Sequence, residues 1–146
     1  MGKEQYELRE GLNTMTYEFT SIGPKGAIPE LVIYYELEDN VYNLAFGDKN
    51  TNTSDIDDLV ITDNKDSQKV LATVASTLYT FTDKYPDAWV AVSGSTKART
   101  RLYQIGISNN WAEISADFIV LGFKNEKWER FEKNIGYEAF LVKRKK

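Results

Sequence analysis

A chain of 146 residues with 42% apolar and 27% charged side chains has the length and composition of one globular domain. It contains no cysteine and no histidine, which excludes a disulfide framework, thiolate or imidazole metal ligands, a cysteine nucleophile and any histidine-based triad. The net charge of −4 is unevenly divided: residues 1–70 carry 6 cations and 14 anions, whereas residues 71–146 carry 12 cations and 8 anions.

Chemistry is thereby confined to carboxylates, Lys, Arg, Tyr, Ser, Thr or a hard oxygen-bound cation. No cofactor motif is present, and the chain reads as a binding domain more readily than as an enzyme. The segment from Met1 to Glu10 lacks an apolar core, and no apolar run reaches the length of a membrane span. Neither a signal peptide nor a membrane segment is expected, and the expected location is the cytoplasm.

In chain order, residues 1–11 read as a loose polar lead-in. Met15, Tyr17 and Phe19 alternate within Asn13 to Ile22 and predict a first strand. Gly23-Pro24-Lys25-Gly26 is a turn. Glu30 to Glu38 is a second strand rich in β-branched and aromatic residues, and Val41 to Phe46 returns as a third after Glu38-Asp39-Asn40. Short connections make these an antiparallel meander. Gly47 to Asp66 is predicted as the longest irregular region, holding Asp48, Asp55, Asp57, Asp58 and the apolar run Leu59-Val60-Ile61.

Asp66 or Ser67 is placed to cap a helix whose apolar positions Val70, Leu71, Val74, Ala75, Leu78 and Phe81 recur at helical spacing. Pro86 stops it. Trp89 to Val92 is short, apolar and bounded by turns, as a central strand would be. A second helix spans Lys97 to Ile107 and ends at Asn109-Asn110, where Asn tolerates a left-handed cap. Asn110 with Glu113 three residues on resembles a cap for a short helix over Trp111 to Ala116. Asp117 to Phe123 reads as a strand, Lys127 to Lys133 as a turn of helix, Tyr137 to Val142 as a last strand, and 143–146 as a basic tail. The expected fold is a single α+β domain: a mixed, mostly antiparallel sheet in β-β-β-α-β-α-β-β order with two main helices.

Three constellations suggest function. The first is Ser93 to Arg101, S-G-S-T-K-A-R-T-R. A strand opening into a helix through small residues presents backbone N–H groups suited to phosphate. Helix first turns favour acids, yet this one offers Lys97, Arg99 and Arg101 and no acid. Ser93, Ser95 and Thr96 would supply hydroxyls to a phosphate-bearing ligand or nucleic acid, the three cations would neutralise it, and Tyr103 would stack on a base. The alternative is that Asp48, Asp55, Asp57 or Asp58 pairs with these cations internally. The second is the acidic loop itself: with the arginine helix, those four Asp residues would suit a magnesium-dependent nuclease, although an ordinary solvated loop explains them as well and no metal ligands are assigned. In the third, Trp128, Phe131, Tyr137 and Phe140 interleave with Lys124, Lys127, Arg130, Lys133 and the basic tail, as in nucleic-acid binders or in a buried strand with a solubilising end.

G-S-T-K-A-R-T-R-L-Y (94–103), N-N-W-A-E-I (109–114), D-F-I-V-L-G-F (117–123) and Y-E-A-F-L-V-K-R-K (137–145) resemble an uncharacterised family of small bacterial domains of unknown function, seen mainly in Bacteroidota. The resemblance implies no catalytic residue. It is compatible with a protein-interaction module of a two-gene, toxin–antitoxin-like pair.

Overall fold

Alternation of large apolar and polar residues shapes the first half of the molecule. The computed structural model describes residues 4–10, 15–50, 55–57, 63–94 and 96–146. After the two-residue β1, Arg9–Glu10, three long strands run β2 Thr16–Gly23, β3 Gly26–Glu38 and β4 Val41–Asn50. They pair antiparallel, with Tyr17 opposite Val32 and Tyr34 opposite Leu44. Gly26 at φ 93° and Asn40 at φ 60° make the two hairpin turns, where left-handed backbone suits Gly and Asn.

The expected irregular stretch from Gly47 begins instead as strand, because β4 continues to Asn50 and pairs with a short β5, Asp55–Asp57. Asp58, the Leu59-Val60-Ile61 run and the start of the first predicted strand at Asn13 lie outside the described residues. Helix α1, Ser67–Lys84, then crosses to β6, Trp89–Val92, which lies parallel to β4 with Leu44 opposite Val92. Helix α2, Lys97–Asn109, and the short α3, Trp111–Asp117, lead to β7, Phe118–Lys124. Strands β8, Lys127–Arg130, and β9, Ala139–Arg144, complete a mixed sheet in the order β1-β2-β3-β4-β6-β9-β7-β8. All pairings except β4 with β6 are antiparallel.

Strand β8 replaces the helical turn predicted for Lys127 to Lys133. Asn125 (φ 50°) and Glu126 (φ 62°) form a two-residue turn with both centres left-handed, the geometry that closes a tight hairpin. Phe123 then lies opposite Trp128, with ring centroids 5.0 Å apart.

One face of the sheet carries the helices. Tyr17, Phe19, Val32, Tyr34, Leu44, Phe46, Val90, Val120, Phe140 and Val142 share a core with Val74, Leu78 and Phe81 of α1, Ile107 of α2 and Ile114 of α3. Tyr34 and Phe81 stack at 4.2 Å, and the Tyr34 hydroxyl is satisfied by Thr77 at 2.6 Å. On the opposite face, where residues of the other parity project, no described helix lies.

One end of this core is polar. Glu30 of β3 is 1% exposed and stands opposite Asp48 of β4. Burial, and then the hydrogen bond and charge of Asp48, push the Glu30 carboxyl up to about 9, so it is protonated at neutral pH. Nearby, Asp66 occupies the N-cap position of α1, but its carboxylate makes no cap bond. It accepts instead from Ser21 Oγ and Tyr6 Oη, both at 2.5 Å. Tyr6 stacks on Phe19 at 5.7 Å, which fastens the N-terminal lead-in to the core.

The other helix ends follow side-chain chemistry more closely. Thr96 caps α2 by accepting from the Arg99 amide at 3.2 Å. Asn110 ends α2 at φ −112°, not in the left-handed conformation expected, and its side-chain amide donates to the Gly106 carbonyl at 2.8 Å. The basic tail is stitched to its neighbours. Arg144 lies against the rings of Tyr79 and Phe118 and donates to Thr82 Oγ1 at 2.6 Å and Asp83 at 2.7 Å. Lys145 donates to the Ser115 carbonyl, and Lys146 pairs with Asp87.

Candidate functional site

Parallel pairing of β4 with β6 stops at Leu44 and Val92, while β4 runs on to Asn50. The chain leaving β6 must turn sharply into α2, so a fork opens at the carboxyl end of β6 beside the continuing β4. A cleft of about 230 Å³ occupies the fork, lined by Tyr35, Asn43, Ala45 and Phe46 from the meander and by Ser93, Gly94, Arg99 and Tyr103 from the β6–α2 side.

The turn into α2 is tight. A Cβ on Gly94 would lie 2.3 Å from the Arg99 Cβ and 2.6 Å from the Thr100 nitrogen, so only glycine fits beneath the first turn. The Gly94 amide donates to Thr100 Oγ1 at 3.0 Å, and that hydroxyl donates to the Thr96 carbonyl at 3.2 Å. This closure positions Arg99 over the cleft. The Arg99 Nη2 is buried and has no hydrogen-bond partner among the described residues. A buried guanidinium nitrogen left unpaired costs about 1–3 kcal/mol or more. No acid stands in the first turn of α2 to offset it.

The predicted binding residues are therefore separated by the structure. Ser93 and Arg99 converge on the cleft, and Tyr103 reaches its wall. Tyr103 is only 7% exposed and belongs to the core, so its ring is packing and not a stacking platform. Thr96 spends its hydroxyl on the helix cap. The Gly94 amide is already bound, so the turn offers fewer backbone donors than its sequence implies. Lys97 and Arg101 are exposed on the outer side of α2 and do not line the cleft. Ser95 lies outside the described residues.

Asp48 does not meet Arg99, because it faces the helix-covered core beside Glu30. The side chains of Asp55, Asp57 and Asp58 lie outside the described residues. No three His, Cys, Asp or Glu side chains among the described residues converge as a metal site would require. In the C-terminal constellation, Phe131, Tyr137 and Phe140 are core residues, whereas Trp128 is 44% exposed.

Tyr35, Asn43 and Ala45 were not singled out by the sequence. They precede Arg99 by more than 50 positions, and only the parallel β4–β6 pairing brings them to it. No described helix is long and apolar enough to cross a membrane. Comparison with curated proteins and with solved structures finds no match. A family model described as a family of unknown function, DUF6934, matches residues 2–145, and the chain belongs to that family.

Proposed function

We propose that this chain is a small binding domain whose Arg99 cleft receives the anionic end of a phosphate-bearing ligand. The observation that carries the reading is Arg99, which lines the cavity with Ser93 and whose Nη2 is buried without a hydrogen-bond partner among the described residues. A guanidinium has a rigid fork of donors matched to phosphate oxygens, and a phosphate in the cleft would accept from Arg99 and neutralise the cation at the positive end of α2. The volume of about 230 Å³ is smaller than the ~300–1,000 Å³ of pockets that enclose whole small ligands. The cleft therefore suits a phosphoryl group with the rest of the ligand outside. Ser93 lines the same cleft, and its hydroxyl would donate alongside Arg99.

Titration of inorganic phosphate followed by amide NMR tests this. Saturable shifts are expected at Ser93, Gly94 and Arg99, absent from Arg99→Gln and retained in Arg101→Gln. Shifts that persist in Arg99→Gln, or that scatter over surface lysines without saturating, would overturn the reading.

A further inference from the structure

We propose that the sheet face on which no described helix lies is, from β4 to β8, a platform for single-stranded nucleic acid, with one backbone phosphate seated at Arg99; the inference rests on the cleft reading and names the ligand that extends from it. Strand register assigns this face. Tyr35, Asn43, Ala91, Leu141, Leu121 and Arg130 follow one another across β3, β4, β6, β9, β7 and β8. One row over, Ala45 of β4, the end of β6 at Ser93, Ala139, Phe123 and Trp128 do the same. The cleft thus opens directly onto the face.

Shape and charge then select the occupant. Ala45, Ala91 and Ala139 make a shallow floor around the cleft, over which a flat group can approach the backbone. Tyr35 at 46% exposure and Trp128 at 44% rise on either side of it. Adjacent strands lie about 4.8 Å apart, so these rings are separated by about 24 Å, a span for several nucleotides. From β4 to β8 the register places Lys49, Lys143 and Arg130 on this face and no Asp or Glu. Among the described residues the acids at its margin include Glu18, held by Lys49 at 2.6 Å, Glu38 at the end of β3, and Asp87 before β6, which pairs with Lys146 and lies near Lys143. With Lys49 paired to Glu18, Lys143 and Arg130 remain as the cations that stand among the aromatic rings of the β6–β8 strip. Aromatic rings that accept any base, interleaved with cations that follow a phosphate backbone, are the elements of single-strand binding. A second copy of the chain would set Lys143 and Arg130 against the same cationic face.

The test is fluorescence anisotropy with labelled oligothymidylate and oligouridylate of about 12 nucleotides, against a duplex of equal length, across a salt series. Single-strand binding is expected, with a log–log salt slope near −2 if three phosphates are neutralised at about 0.7 each. The double variant Trp128→Ala, Arg130→Ala changes only exposed side chains and is expected to weaken binding at least about fivefold. The inorganic phosphate titration is repeated on the same variant and is expected to be unchanged. Equal binding by the double variant, a preference for duplex, or no oligonucleotide binding would overturn the platform, while phosphate at Arg99 stands or falls by its own titration. A concentration-dependent dimer that broadens the resonances of this face would overturn it in favour of self-association.

Discussion

Glu30 offers a perturbation whose sign and size follow from its surroundings. It is 1% exposed, opposite Asp48, and its carboxyl is held up to about 9 by burial first and by the Asp48 hydrogen bond and charge second. In the unfolded chain a glutamate loses its proton near pH ~4.3. Between that value and about 9 the folded state binds one proton more than the unfolded state. Stability therefore falls as pH rises through this window, by up to about 1.4 kcal/mol per unit. From about pH 6 to about pH 8 the expected loss from this group is about 2–3 kcal/mol. Glu30→Gln keeps a donor for Asp48 and cannot ionise. Urea unfolding at several pH values should then show wild type losing stability toward alkaline pH and Glu30→Gln losing about 2–3 kcal/mol less over the same interval. Parallel curves for the two proteins would refute the claim that Glu30 is a neutral donor at pH 7.

Gly106 lies inside α2, and a Cβ there would meet Leu71 at 3.4 Å, an ordinary contact beside a cavity of about 40 Å³. Gly106→Ala should stabilise by about 0.5–1 kcal/mol and raise Tm by about 1–4 °C in a thermal melt; a lower Tm would show that the α1–α2 contact is tighter than described. Arg144 rests 5.1 Å from the Tyr79 ring centre and 5.4 Å from that of Phe118 while donating to Thr82. Arg144→Lys should cost about 1–2 kcal/mol, because an ammonium cannot reproduce the planar stacking and forked bonding. Asp83→Asn should cost under about 0.5 kcal/mol, since Asp83 is 66% exposed and screened; equal losses in the two variants would place the energy in the ion pair.

Elements whose signal lies in side-chain period were legible before the fold. The alternation of Tyr17 and Phe19 and the helical spacing of Val70, Val74 and Leu78 each bury one face. What escaped was decided elsewhere. Trp128 to Arg130 reads as amphipathic in either period, and the Asn125-Glu126 turn, formed by two left-handed residues, settled it as a hairpin. The placement of Asp48 in a loop failed because β4 is prolonged by its pairing with β5, a contact between segments whose patterns are polar.

The site was half legible for a similar reason. Cations in the first turn of α2 marked a local electrostatic conflict, and Arg99 is where it is concentrated. Helical spacing alone did not separate Arg99 from Lys97 and Arg101, because which direction faces the sheet depends on the tight turn at Gly94. Tyr103 shares the Arg99 side one turn on, but at that depth the helix already meets the core. The meander half of the cleft carries Tyr35 and Asn43, which have no chemical signature until β6 joins β4.

Isothermal calorimetry of inorganic phosphate into wild type and Arg99→Gln measures whether Arg99 holds an anion in the cleft. One saturable site is expected in wild type, with affinity reduced at least about tenfold in Arg99→Gln, the loss of one charge-assisted hydrogen-bonding group at about 1.5–3 kcal/mol. Identical heats and affinities for the two proteins would contradict that role for Arg99.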